Sequence, residues 1–137
     1  MRRKLKTRSL VCIATGAAIV VGIYLFVHPP SIPDIDFALA KELNVVADKL
    51  WDKRRANQTT IRRDDVEKAD WPDVISKFSP INVRVNDDGV YVVLKRLFVE
   101  EWGLFLLPSN SAFLPSARSD PSYRHLQGQV YWYEIRG

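Results

Sequence analysis

Two adjacent glutamates, Glu100 and Glu101, lie in the apolar stretch FVEEWGLFLLP at residues 98–108, where they could serve as a general acid and a general base. Adjacent residues of a strand point to opposite faces of a sheet, so the two carboxylates could not act on one substrate group. In a turn, by contrast, both carboxylates would be solvated. We therefore predict that Glu100 and Glu101 belong to a turn.

The serine-rich stretch near the C-terminus contains the residue types of a serine hydrolase, because it combines serines with Asp120 and His125. The possible nucleophiles are Ser116, Ser119 and Ser122. No Gly-x-Ser-x-Gly sequence surrounds any of these serines, so the signature of a nucleophile on a sharp turn is missing. We predict no catalytic residues in this protein.

Few residues could bind a metal or a cofactor. The histidines are His28 and His125, and the single cysteine, Cys12, lies in an apolar stretch near the N-terminus. This set nearly excludes a histidine or cysteine metal site, while a calcium site made of carboxylates alone stays open. The six glycines are scattered singly, so phosphate loops and dinucleotide fingerprints are absent. We expect neither a metal nor a cofactor.

Aromatic side chains are frequent in the C-terminal half, where they could form a binding surface for a partner or fill a core. The candidates for partner binding are Tyr91, Phe105, Phe113, Tyr131, Trp132 and Tyr133. The strand predicted at 90–99 is mainly apolar on both of its alternating faces. A long helix can cover one face, and the other face requires a short helix, the long loop at 108–122, a second copy of the chain or a partner protein.

The elements that must position these residues begin with the N-terminus. All 16 acidic residues follow Pro33, whereas Arg2, Arg3, Lys4, Lys6 and Arg8 take five of the 20 basic ones, so the rest of the chain is nearly neutral. The basic charge is therefore a property of the tail and does not indicate nucleic-acid binding.

The stretch from Ser9 to Val27 is uncharged and, as a helix, would be roughly 28 Å long, which is close to the thickness of the apolar part of a bilayer. We predict a basic cytoplasmic tail at 1–8, a transmembrane anchor at 9–28, a proline-rich spacer at 29–35 and a small periplasmic α+β domain at 36–137. The five basic residues of the tail flank the anchor. A cleaved signal peptide is the alternative, but no small-residue cleavage site follows the apolar run.

Within the domain, apolar spacing predicts an amphipathic helix at 36–55, capped by Asp34 or Asp36, and a short helix that ends near Phe78. An antiparallel sheet of about four strands should follow, with a meander at 81–86, 90–99 and 103–107 and a last strand QVYWYEIR. Two similar turns, VNDDGV and VEEWGL, should connect the meander, each with a left-handed glycine.

Two stretches carry a resemblance to known proteins: WPDVISKFSPINVRVNDDGVYVVLKRLFVEEWGLFLLP and, further along, DPSYRHLQGQVYWYEIRG. They resemble a loose group of short bacterial membrane-anchored proteins, without a known activity, that share a V-x-V-x-x-D-G-V-Y hairpin and a G-L-F-x-x-P strand. The resemblance covers roughly residues 71–137. It implies an α+β fold and a bacterial origin, hence an anchor in the inner membrane and a periplasmic domain, but no reaction.

These observations favour a non-enzymatic protein-binding module, tethered to the inner membrane and facing the periplasm. Its partner would be another envelope protein or an incoming toxin, which the domain would neutralise as an immunity protein does. A subunit of an envelope complex is a second version, and association with a second copy of the chain is possible. The alternative is a small envelope enzyme that acts on peptidoglycan or lipid through carboxylates and His125.

Overall fold

The computed structural model describes residues 28–56 and 63–137 and has an α+β fold with one long helix. The helices are α1 (Phe37–Ala56) and α2 (Asp73–Ser76), and a 3-10 turn lies at Lys68–Asp70. The strands are β1 (Arg63–Asp65), β2 (Asn82–Asn86), β3 (Val90–Leu97), β4 (Glu100–Leu106), β5 (Ser122–Gln127) and β6 (Val130–Ile135).

Helix α1 forms where the sequence predicts it, and its two ends are held by side chains. At the start, a carboxylate oxygen of Asp36 accepts a hydrogen bond from the backbone N–H of Leu39 at 2.7 Å, which confirms Asp36 as the cap. Near the end, buried Arg54 donates to Asp87 at 2.8 Å. This ion pair ties the last turn of α1 to the turn between β2 and β3.

Within the described residues the six strands form one antiparallel sheet in the order β1-β2-β3-β4-β6-β5. The prediction of about four strands misses β1, which lies in a polar segment read as loop, and β5, whose alternating polar residues hide a strand. Both are edge strands of the sheet, so one side of each lacks a neighbouring strand. Edge strands tolerate polar residues, which weakens the apolar signal from which strands are predicted.

The main core lies between α1, α2 and one face of the sheet. Its buried members include Leu43, Ala47, Leu50, Ile75, Val83, Val85, Val90, Val92, Leu104, Leu106, Val130 and Trp132. We call this side the helix face. The predicted short helix is present as α2. It ends at Ser76 and not near Phe78, because a turn with left-handed Ser79 follows it.

A β-bulge at Leu94 changes the face of the sheet on which the last side chains of β3 lie. Before the bulge, Val93 pairs with Gly103; after it, Lys95 pairs with Trp102 and Arg96 with Glu101. If β3 alternated regularly through Leu94, Arg96 would lie on the helix face. The bulge therefore turns Arg96 to the opposite face, on the side of Glu101.

The turn between β3 and β4 is made by Phe98 and Val99, not by the two glutamates. Leu97 pairs with Glu100 across the hairpin, so both Glu100 and Glu101 belong to β4. Phe98 has φ of 54° and takes the left-handed position that the sequence assigns to a glycine. The prediction of a VEEWGL turn is wrong, because the two-residue connection forms before both glutamates.

Gly103 does not form a turn; it allows two neighbouring strands to approach closely. It lies in the middle of β4, and a Cβ atom at this position would come within 2.1 Å of the carbonyl oxygen of Val92. Gly89 lies within the predicted VNDDGV turn but is likewise not left-handed; a Cβ there would lie 2.8 Å from the carbonyl oxygen of Leu106. Both glycines are required by packing across β3 and β4.

The predicted basic tail and the predicted anchor as far as Val27 lie outside the described residues. Among residues 28–56 and 63–137, no helix combines the length and the apolar character needed to cross a bilayer.

Candidate functional site

The face of the sheet opposite α1 carries a cluster of buried aromatic rings, which we call the aromatic face. It consists of Tyr91, Phe105, Tyr123 and Tyr133. The ring centroids of Tyr91 and Phe105 are 4.9 Å apart, and those of Tyr91 and Tyr133 are 5.1 Å apart. Tilted and edge-on contacts at such distances are the favourable geometry for aromatic pairs.

A long loop, residues 107–121, connects β4 to β5, and we call it the cover loop. Three of its serines attach it to other parts of the domain. Ser109 donates to the Asp48 carboxylate of α1 through its backbone N–H at 2.8 Å and its hydroxyl at 3.0 Å. The Ser111 hydroxyl donates to the carbonyl oxygen of Asp88 at 2.8 Å, and the Ser116 carbonyl accepts from the backbone of Tyr123 at 2.9 Å.

Phe113 is the part of the cover loop that closes the aromatic face. Its ring centroid lies 5.5 Å from that of Phe105 and 5.4 Å from that of Tyr123, both in edge-on geometry. The next residue, Leu114, is 86% exposed. The loop thus fixes one apolar side chain against the sheet and presents its neighbour to the outside.

A buried carboxylate, Glu101, lies on the aromatic face near the start of β4, whereas Phe105 lies near the end of that strand. Glu101 is 4% exposed. Arg84 donates to both of its oxygens, one bond being 2.9 Å. Arg96 donates twice, at 2.9 and 2.6 Å, and the Tyr133 hydroxyl donates at 2.7 Å. The carboxylate therefore accepts five hydrogen bonds from three side chains, and two of those side chains are positively charged.

These contacts hold Glu101 in its ionised form. Burial alone raises the pKa of a carboxyl group, but the hydrogen bonds from Arg84, Tyr133 and Arg96 outweigh it and lower the pKa of Glu101 to about 2. Burial also raises the pKa of the Tyr133 phenol, and the neighbouring carboxylate adds to this effect. For Arg84, burial lowers the pKa, yet the hydrogen bond to Glu101 more than compensates, so the guanidinium stays charged.

A pair of phenols extends the polar groups of the aromatic face toward the cover loop. The hydroxyl oxygens of Tyr91 and Tyr123 are 2.7 Å apart, and the Arg84 guanidinium lies 5.0 Å from the centre of the Tyr91 ring. Burial, with the hydrogen bond to Tyr123, raises the pKa of Tyr91. The phenols and the carboxylate bond to each other or to arginine, so this arrangement serves the packing of the face beneath the loop.

The structure divides the predicted partner-binding residues among three environments. Tyr91, Phe105 and Tyr133 are buried in the aromatic face, and Phe113 is partly buried because it packs on them. Tyr131 is partly buried beside the same cluster, whereas Trp132 points to the helix face and is buried there. The open sheet face expected from the sequence is thus covered by the long loop, and these residues lie beneath or beside it.

The residues considered for hydrolase chemistry do not form a triad in the structure. His125 bonds through its ring nitrogen to the carbonyl oxygen of Gly128 at 2.8 Å. The Ser119 hydroxyl donates to the carbonyl of Pro121 at 2.7 Å, and the Ser122 hydroxyl donates to that of Glu134 at 3.4 Å. In the part of the chain that the structure describes, no three histidine, cysteine, aspartate or glutamate side chains are grouped so as to hold a metal.

Sequence reasoning misses two features of this site. Glu101 is interpreted as a solvated turn residue, and Leu114 is not singled out within its loop. The alternation Val83-Arg84-Val85 is a signal for the first feature, since it places an arginine opposite two core valines in a strand and such a charge needs a partner. The exposure of Leu114 depends on the path of the loop.

Comparison of the chain with family models, with curated proteins and with solved structures finds no match.

Proposed function

We propose that this protein is a non-enzymatic protein-binding module, tethered to the bacterial inner membrane, which binds a partner through the outer surface of the cover loop. The observation that carries the proposal is the exposure of Leu114, 86%, in the middle of a loop whose neighbouring Phe113 is packed on the sheet. Loops held on a rigid scaffold are a usual location for recognition residues.

The attachment of the loop supports binding to a folded partner. Ser109, Ser111 and Phe113 fix it to α1, to the β2–β3 turn and to the aromatic face. A loop that is ordered beforehand loses little conformational entropy when it binds. The partner that fits is a protein with an apolar pocket able to enclose a leucine side chain.

The apolar stretch from Ser9 to Val27 and the basic residues before it support the tether, and the resemblance at 71–137 supports a bacterial envelope. A tether raises the local concentration of the domain where the partner arrives. An immunity-like inhibitor of a toxin entering the periplasm is the most concrete version of this function, and a subunit of an envelope complex is the other.

Site-specific crosslinking in cells tests the proposal. A photo-reactive amino acid replaces exposed Ala112 in the full chain, so that Leu114 itself can be varied. We expect a discrete crosslinked partner that disappears with Leu114→Asp. Phe37→Asp is the matched control, because Phe37 is 75% exposed at the start of α1. An adduct that persists with Leu114→Asp, or disappears equally with Phe37→Asp, would contradict the proposal, as would the absence of an adduct.

A further inference from the structure

The tip of the β3–β4 hairpin exposes two apolar side chains. Phe98 is 91% and Val99 is 68% exposed. Phe98 also has φ of 54°, a conformation that bulky side chains rarely adopt. A strained backbone that displays an aromatic ring in solvent is unfavourable for an isolated domain, and such positions concentrate where the chain makes a functional contact.

The hairpin tip lies close to the point where the chain enters the domain. The Lys95 ammonium donates a hydrogen bond to the carbonyl oxygen of His28, the residue that directly follows the uncharged stretch from Ser9 to Val27. Phe98 is three residues beyond Lys95, which corresponds to about 10 Å along an extended chain. If the uncharged stretch spans a bilayer, the tip lies at the level where the chain leaves the membrane.

Basic side chains surround the tip. Lys95 and Arg96 precede it, and Arg136 is close to it, because the adjacent Gly137 lies against the side chain of Val99. Arg96 and Arg136 are paired with carboxylates yet partly exposed. Glu100 is the acidic residue next to the tip. Apolar residues beside lysine and arginine are typical of segments that dip into the head-group region of a membrane.

We propose that Phe98 and Val99 insert into the head-group region of the membrane that holds the anchor, and that this second contact fixes the orientation of the domain. The proposal rests on the tether in the proposed function. It also has a consequence for the cover loop: Phe105, on which Phe113 packs, lies six residues from Val99 along β4, about 20 Å away. The docked domain therefore presents Leu114 away from the bilayer.

Lipid-dependent quenching tests the docking. The full chain carries Cys12→Ser, which removes its single native thiol, and Val99→Cys labelled with an environment-sensitive fluorophore. It is reconstituted into vesicles of phosphatidylethanolamine and phosphatidylglycerol that contain a lipid with a spin-label quencher near the head group. The matched control is the same chain with the label at Leu114→Cys. We expect loss of most of the fluorescence at position 99, little loss at 114, and recovery at 99 when Phe98→Asp is added.

The outcomes separate docking from the tether and from partner binding. A chain that does not float with the vesicles after a carbonate wash overturns the tether, and docking with it. A chain that floats but is quenched equally at 99 and 114 overturns docking alone. Circular dichroism of the Phe98→Asp chain establishes that the fold is kept, and a folded variant with unchanged quenching would also refute the insertion. No partner protein is present, so the result does not depend on the role of Leu114.

Discussion

Replacing Glu101 with glutamine tests whether the buried carboxylate holds the aromatic face together. The substitution keeps the shape of the side chain but removes the negative charge that Arg84 and Arg96 share. Arg84 is 2% exposed, so its guanidinium would stay buried without a counter-charge. Removing one member of a buried ion pair typically costs about 3–5 kcal/mol, and we expect Glu101→Gln to lose that much free energy of unfolding.

The pKa of Glu101 gives an independent magnitude. The carboxyl group titrates near 4.5 in the unfolded chain and at about 2 in the folded domain, a difference equivalent to roughly 3 kcal/mol. Because the folded pKa is the lower one, the unfolded chain binds more protons between these two values. The stabilisation is complete above pH 4.5 and decreases as the pH falls toward 2.

Urea unfolding of the full chain in a mild detergent, followed by tryptophan fluorescence, measures both effects, since Trp51, Trp102 and Trp132 are buried. Glu100→Gln is the matched control, because it removes the adjacent charge on the other side of β4 and should change stability by less than about 0.5 kcal/mol. The wild-type chain should lose stability between pH 4.5 and 2 more steeply than Glu101→Gln. Equal stability of the two glutamine variants, or parallel pH profiles, would refute the reasoning.

Two further substitutions test the geometry of the β3–β4 hairpin. Gly103→Ala places a Cβ atom within 2.1 Å of the Val92 carbonyl oxygen and should lower the free energy of urea unfolding by about 3 kcal/mol or more. An unchanged unfolding midpoint would mean that β3 and β4 pair in another register. Phe98→Gly relieves the left-handed backbone and should raise stability by about 1 kcal/mol in thermal unfolding, while Val99→Gly, at a position without positive φ, should give no gain; equal effects would count against the strain at Phe98.

The long helix and the meander are the parts of the fold that the sequence predicts well. Leu43 and Leu50 recur at helical spacing and are buried in α1, and Asp36 caps the helix by a local hydrogen bond. The same holds for the turn at Asp87-Asp88, where polar residues and Gly89 interrupt two valine-rich strands. In each case the signal depends on residues close together in the chain, which is the information that periodicity and capping rules use.

The candidate site depends on contacts that are distant in the chain. Glu101 meets Tyr133 because β4 pairs with β6, and it meets Arg84 of β2 across the intervening β3; this strand order cannot be read from local composition. The misplaced turn has a related cause: Phe98 and Val99 are poor turn residues by composition, so the acidic pair beside Gly103 is the stronger local signal. A charged pair among apolar residues fits a solvated turn as well as a buried ion pair, and only the facing strands decide between them.

The bulge at Leu94 changes whether odd- or even-numbered residues of β3 lie on the aromatic face. On one side of the bulge, odd-numbered residues such as Tyr91 and Val93 belong to the aromatic face; on the other side, even-numbered Arg96 does. Deleting Leu94 in a descendant chain would restore regular alternation, because Lys95 would then follow Val93 directly, and Arg96 would still lie opposite Glu101 on the aromatic face. The constraint on chain length therefore lies between the arginine and the glutamate, across the hairpin turn, and relatives that keep this pair must keep the number of residues between them.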